Sequence, residues 1–223
     1  MVQNVYEPPT LTVDGVILQI IDNSLQVLLI RRSNNPMKNS LALPGGYNAK
    51  GQTTMEAFMR ILERKAGIAA RQIELIEQLY TFDTVSRDPR GHAVSVTYLG
   101  LGNGLVVNST TENPEFYPVD NLPQVAFDHK QIIDLAIERL ISKISYTNVV
   151  YSLLPKKFTL SQLQKTYEII LGRELDKRNF RKKFNSFNVI ENSGEYYREG
   201  AHRPAKLYQF KIRKLEILSE QFS

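Results

Sequence analysis

The stretch Asp176-Lys177-Arg178-Asn179-Phe180-Arg181-Lys182-Lys183-Phe184-Asn185-Ser186-Phe187 carries the densest chemistry in the chain. At about 100° per residue, Phe180, Phe184 and Phe187 fall within about 60° of one another and mark the packed side of a helix. Directly opposite lie Arg178, Lys182 and Asn185, with Asn179, Arg181 and Ser186 at the flanks. Arg and Lys bind guanine O6 and N7 or phosphates, and Asn pairs with adenine through two hydrogen bonds. Lys177 and Lys183 lie nearer the packed edge, where their stems can reach toward phosphates. Such a face suits a helix that reads a DNA groove. The same residues also fit a solvated cationic helix on an ordinary helical domain.

The neighbouring elements bear on that choice. Residues 148–154 are short and apolar, closed by Pro155. Thr159 can cap the next helix, with Gln162 as its capping-box partner. Leu160, Leu163, Tyr167, Ile170 and Leu171 give that helix a buried stripe, and Gly172 suits the position just past its end. Asp176 can cap a third helix over about residues 177–187. Residues 188–191 read as a strand, Asn192-Ser193-Gly194 as a turn, and residues 207–210 as the returning strand. The segment Arg198-Glu199-Gly200-Ala201-His202-Arg203-Pro204 would be the wing, where His202 and Arg203 can meet the DNA backbone or minor groove. Helices followed by a two-stranded ribbon follow the winged helix-turn-helix order. The DNA-contact set expected is Thr159, Lys177, Arg178, Asn179, Arg181, Lys182, Asn185, His202 and Arg203.

Charge is placed to match. The 223 residues carry 28 Lys+Arg and 23 Asp+Glu, a net +5. Residues 1–148 hold 13 basic and 15 acidic groups (−2), and residues 149–223 hold 15 and 8 (+7). Clustered cations are the footprint of polyanion binding. With 42% hydrophobic and 23% charged residues, intrinsic disorder and fibrous architectures are excluded. The absence of cysteine removes disulfides, thiolate-bound zinc and thiol nucleophiles. No apolar run approaches the ~20 residues of a membrane span. The first residues lack a basic segment and an apolar run, so no signal peptide is expected and the cytoplasm is the expected location.

The first two-thirds reads as strands with interspersed helices. Residues 11–21 and 27–30 form a hairpin across Asp22-Asn23-Ser24. Residues 33–40 form a loop, and Leu41-Ala42-Leu43 is a short strand ended by Pro44-Gly45-Gly46. A helix runs from Gln52 to about Lys65, with Ala57, Phe58, Ile61 and Leu62 at helical spacing and Gly67 as a stop. Residues 73–81 and 93–101 are strands, with Arg87-Asp88-Pro89-Arg90-Gly91 as a loop between them. A loop over 118–123 leads to an amphipathic helix at 128–145. The class expected is α+β: a mixed-sheet α/β/α sandwich over residues 1–146, then a winged helix over 147–223.

Residues 43–68 resemble the Nudix box: Gly, five residues, Glu, seven residues, Arg-Glu-hydrophobic, one residue, Glu-Glu, one residue, Gly-hydrophobic. Anchored on Gly46 and Gly67 the alignment has no gap, and Arg60, Leu62, Gly67 and Ile68 match. Gln52 stands at the first Glu. Ile61, Arg64 and Lys65 stand at the Glu positions that hold divalent metal in active members. Glu56 and Glu63 point about 130–150° away from that face. Their spacing from Arg60 predicts an ion-pair set with it instead. Mg²⁺ needs oxygen ligands, and two cations on the face would repel it. No metal and no catalytic residue is therefore assigned. Arg64 and Lys65 are expected where metal would otherwise neutralise a pyrophosphate.

A degenerate Nudix domain joined to a winged helix resembles the NrtR-type Nudix-related regulators of NAD metabolism. The resemblance spans nearly the whole chain. It is carried by Leu43-Pro44-Gly45-Gly46, Arg87-Asp88-Pro89-Arg90-Gly91, Ala126-Phe127-Asp128-His129, residues 172–183, and His202-Arg203-Pro204-Ala205-Lys206-Leu207-Tyr208. It implies a homodimer on a palindromic operator, repression of NAD-metabolism genes, ADP-ribose as effector and no required cofactor. Some relatives of this architecture answer to sugars. The implied effector set is Arg32, Arg60, Arg64, Lys65, Phe82, Arg87, Arg90, Asp128 and His129. Arginine suits a diphosphate through its planar donor fork, and Phe82 can stack an adenine. Each has a plainer reading. Arg87 or Arg90 can bridge to acids, Phe82 can be core, and His129 can simply start a helix. The three histidines show no metal spacing. Two other functions fit less well. A nucleoside-diphosphate-sugar hydrolase would draw acids from Asp83, Asp88, Asp120 or Asp128. A nucleotide-binding adaptor would bind RNA or protein.

Overall fold

A computed structural model describes residues 7–108, 111–198, 204–219 and 222. The first strand, β1 (Thr10–Ile21), turns through Asp22 and Asn23 into β2 (Ser24–Arg31). Both turn residues have positive φ, 48° and 60°. That is the primed two-residue turn whose twist matches the strands it joins. There follow β3 (Leu41–Ala42), β4 (Gly45–Tyr47), α1 (Thr54–Ala66), β5 (Leu75–Phe82), β6 (Ala93–Leu101), β7 (Glu115–Pro118) and α2 (His129–Ile144). Among the described residues these strands make one mixed sheet in the order β3-β2-β1-β6-β5, with β4 on β1 and β7 on β2. β1 runs parallel to β6 and antiparallel to β2 and β4.

β1 is buried continuously from residue 12 to residue 19, because both faces of the sheet are covered. On one face Ala57, Phe58, Ile61 and Leu62 of α1 pack on Val13, Ile17 and Leu28. On the other, Ile132, Ile133, Ala136 and Leu140 of α2 pack on Val16, Leu18, Val27 and Leu29. This is the expected α/β/α sandwich. The second core does not end at α2. It runs on through Phe158, Leu163 and Tyr167 to Phe180, Phe184 and Phe187.

The C-terminal part begins with a 3-10 helix, Val149–Leu153, buried at all five residues. It continues as α3 (Leu160–Leu171), α4 (Lys177–Ser186), β8 (Ile190–Tyr197) and β9 (Ala205–Phe210). Thr159 and Gln162 close a capping box on α3, and the Asp176 side chain accepts from the Asn179 N–H at the start of α4. The chain after β9 returns to the junction between the two parts. Arg213 donates to the carbonyls of Tyr151 (2.7 Å) and Leu154 (3.1 Å) and lies 3.4 Å from Glu74. Asn148 donates to the Lys214 carbonyl and accepts from the Glu216 N–H. Among the described residues no helix is long and apolar enough to cross a membrane.

Three sequence expectations change. β4 falls on the Pro44-Gly45-Gly46 stretch expected to end a strand, β7 in a stretch given no element apart from Pro118, and Val119–Asn121 of the expected loop is a 3-10 turn. Asn192-Ser193-Gly194 is not the hairpin turn: β8 continues to Tyr197, with a register shift between Asn192 and Tyr196. The strands pair as far as Tyr197 and Ala205, and residues 199–203, with His202 and Arg203, lie outside the described residues. Glu56 and Glu63 do not pair with Arg60. Glu56 closes the cap of α1 with Thr53, and Arg60 donates to Gln52 Oε1 (3.1 Å) and the Tyr47 carbonyl (2.9 Å).

Candidate functional site

Between α1, the 33–35 loop and the 87–90 loop lies a cleft of about 550 Å³. Its floor comes from β1 and β4. Gly45 pairs with Asp14, and a Cβ at Gly45 would stand 1.7 Å from Asp14 Oδ1. Only glycine admits that approach. Asp14 is 6% exposed and accepts from Ser95 Oγ at 2.5 Å. His129 is also buried, and its Nδ1 accepts the Leu43 N–H at 2.9 Å. That acceptor role requires an unprotonated Nδ1. Burial, the largest influence, pushes its pKa below the ordinary 6.5, while Asp14 pulls the other way. His129 thus holds the Leu43-Pro44-Gly45-Gly46 turn in place as a neutral ring.

Six cations line the cleft, Arg32, Arg60, Arg64, Lys65, Arg87 and Arg90, against Asp14, Asp88 and Glu112. Several are already engaged. Arg87 forks onto Asp128 with two 2.8 Å hydrogen bonds, and its side chain is 5% exposed. Arg90 holds Asp88 and donates to Tyr47 Oη at 2.9 Å. Lys65 pairs with Glu112 at 3.1 Å. Arg32 lies 4.7 Å over the Phe127 ring and donates to the Pro36 carbonyl. Burial, and then Arg90, push the Arg32 pKa below its ordinary value. Arg64 is exposed at the cleft wall and has no ion-pair partner among the described residues.

The helix face that would carry metal-binding acids therefore offers none. Ile61 is core, and Arg64 and Lys65 are cations. Among the described residues no group of three His, Cys, Asp or Glu side chains is placed to hold a metal ion. A divalent cation does not fit this donor set. Of the acids weighed for an alternative hydrolase, Asp88 alone lines the cleft, and it is bound to Arg90. Asp83 and Asp120 do not line it, and Asp128 stands behind Arg87.

Seven of the nine expected effector residues line the cleft. Asp128 and Phe82 do not. Asp128 supports Arg87 from outside, and Phe82 packs on the α2-side core and edge-on to Tyr80. The aromatic rings at the cleft are instead Tyr47 and Phe127. Sequence reasoning also passed over Asp14 and Glu112.

On the C-terminal side, Phe180 and Phe184 are buried against Tyr167, at 5.4 and 5.6 Å between ring centres. Lys177, Arg178, Asn179, Lys182 and Asn185 are exposed, as the helical wheel requires. Arg181 is half-buried, and its Nε is enclosed without a hydrogen-bond partner. Thr159 is 8% exposed and its hydroxyl accepts the Gln162 N–H, so it shapes the start of α3. Tyr196 and Tyr197, at the end of β8, are exposed aromatics that no sequence signal singled out.

Comparison with known proteins bears on both halves. Residues 11–136 match the NUDIX domain model, and residues 150–210 match the NrtR DNA-binding winged helix domain. An Acinetobacter baylyi protein described as an ADPR responsive transcriptional repressor is 37% identical over 219 residues, covering 95% of this chain and 86% of that protein. The chain belongs to the NrtR family of Nudix-related transcriptional regulators. The crystal structure of Shewanella oneidensis NrtR complexed with a 27mer DNA superposes with a TM-score of 0.78 at 33% identity, covering 90% of this chain and 93% of that one. The NUDIX domain of the same protein complexed with ADP ribose matches at a TM-score of 0.56 and 32% identity, over 62% of this chain and 92% of that one. An ADP-ribose pyrophosphatase of Methanocaldococcus jannaschii is 37% identical over 130 residues, 57% of this chain and 73% of that protein.

Proposed function

We propose that this chain is a DNA-binding repressor of NAD-metabolism genes whose Nudix cleft binds ADP-ribose without cleaving it. The observation that carries the reading is the metal face of α1, where Ile61 packs in the core and Arg64 and Lys65 line the cleft. Fixed cations do there what metal ions would do for a bound diphosphate, and they activate no water. Crowding of Arg32 by Arg90 makes the cleft a place where an anion relieves like-charge repulsion. The exposed face of α4 supplies the groove contacts. A homodimer would place two such helices in successive major grooves, about one helical turn apart. No cofactor is required for either act.

The test is calorimetric titration of ADP-ribose into the protein with Mg²⁺ present. A saturable isotherm with no continuing heat is expected. A sustained heat rate that scales with protein would overturn the non-hydrolytic reading. Hydrolysis remains the second reading because the pyrophosphatase similarity covers this domain. It would require acids other than those of the box, and Asp14, Asp88 and Glu112 are the ones that line the cleft.

A further inference from the structure

One rod joins the cleft to the DNA-facing helices. α2 has 16 residues, about 24 Å at ~1.5 Å per residue. Its first residue, His129, is bonded to the cleft turn at Leu43. Its far end packs Leu140 and Ile144 into the same core as Phe158, Leu163 and Tyr167. Tyr167 in turn holds Phe180 and Phe184 of α4.

The start of α2 is unusual. Asp128 occupies the capping position, but its side chain caps nothing. Both carboxylate oxygens accept from Arg87 instead. The Asp128 backbone sits at φ −89°, ψ 14°, outside the extended region that capping residues ordinarily use. Arg87 lines the cleft, with Asp14 Oδ2 a further 3.7 Å from its guanidinium. Beyond Asp128 and Asp14, Arg87 therefore has a further partner within reach, an anion in the cleft. Asp128 has another, the Lys130 N–H in the first turn of its own helix, whose neighbours His129 and Gln131 already donate to the Ala126 and Asp128 carbonyls. Both arrangements leave every charge satisfied, as a two-state device requires.

We propose that exchange of partners at the Arg87–Asp128 pair signals cleft occupancy: a diphosphate takes Arg87, Asp128 turns to cap α2, and α2 carries the shift to α3 and α4. This rests on the reading of the cleft as an ADP-ribose site. It makes Arg87 a ligand contact and Asp128 a positioning residue.

Asp128→Asn separates the two states. Asn caps a helix as well as Asp does but cannot hold a guanidinium as an ionic fork. The DNA probe is a palindromic duplex enriched by the wild-type protein from a random pool. For the wild type, saturating ADP-ribose is expected to change DNA affinity about fivefold or more. For Asp128→Asn, DNA affinity without ligand should already equal the ligand-saturated wild-type value. Adding ADP-ribose should change it less than about twofold, and ADP-ribose should bind more tightly because Arg87 is released. A full wild-type response in the variant overturns the relay and leaves the effector site standing. No ADP-ribose binding by the wild type overturns both. Hydrogen exchange in the wild type gives a readout that does not depend on the variant folding. The Lys130 amide should slow about fivefold when ligand binds, as the Asp128 side chain caps it. Unchanged exchange there also overturns the relay.

Discussion

A histidine at the floor of a charged cleft invites the role of base or metal ligand, and the Leu43 amide assigns His129 another. Its Nδ1 accepts that N–H, so a proton there would break the bond. Its folded pKa lies below 6.5 and its unfolded pKa near 6.5. As pH falls through 6.5 the unfolded chain binds a proton that the folded chain refuses. Stability is therefore complete above that pH and declines below it, by about 1.4 kcal/mol per pH unit until the folded value is reached. Denaturant titration at pH 7.5 and 5.5 should show this loss in the wild type and a smaller one in His129→Asn, whose amide oxygen can accept the same N–H. An equal loss in both proteins would place the proton elsewhere. Arg64→Ala should weaken ADP-ribose binding about tenfold, the scale of one charge-assisted hydrogen bond. Titration calorimetry reads it directly, and unchanged affinity would remove Arg64 from the site. Arg60, Arg64 and Lys65 were legible in the sequence because the spacing of the box pointed at them, and Arg32, Arg87 and Arg90 came only through the family resemblance. Asp14 was not legible, since a lone acid inside the apolar run of β1 carries no signal until β4 and Ser95 close on it. Phe82 and Phe127 are chemically alike, and only the path of the chain separates a core ring from a cleft ring.

At the scale of elements, α4 makes the sharpest claim. Its apolar face is spent on Tyr167 and its polar face is open, so exposed side chains can change without disturbing packing. Arg178→Ala and Lys182→Ala should each weaken DNA binding and leave ADP-ribose affinity intact. Each lost phosphate contact should also lower the slope of log affinity against log salt by about one. Anisotropy titrations over a salt series measure both, and equal DNA affinity would count against α4 as the reading helix. The helices were legible because capping residues and apolar periodicity act within a few residues. Thr159 with Gln162, and Gly67 at φ 66°, fix their helix ends locally. β4 and β7 were not legible. They are short, and distant partners, β1 and β2, decide that they are strands at all. The turn expected at 192–194 failed for a related reason. Asn192-Ser193-Gly194 has turn chemistry, and pairing with β9 absorbs it as an irregularity within β8.

At the scale of the whole molecule, the α2-side core crosses the boundary between the two matched domains without a gap. The 3-10 link is buried, and Arg213 ties the chain beyond the wing to Glu74 at the start of β5. Two domains that share a core melt together. Scanning calorimetry of the full chain should show one transition whose van't Hoff and calorimetric enthalpies agree. Leu163→Ala should lower that single peak as a unit, at a cost of about 2–5 kcal/mol. Two separate peaks, only one of them shifted, would refute the common core. None of this was legible from the domain boundary near residue 147, which marks a change of pattern along the chain and says nothing about packing across it. The shared core also bears on protein engineering. Sensor and reader are often treated as exchangeable parts, but grafting these C-terminal helices onto another Nudix domain would strip Phe158, Leu163 and Tyr167 of their neighbours. A working chimera would have to bring α2 along as part of the reader, or rebuild the surface that receives it.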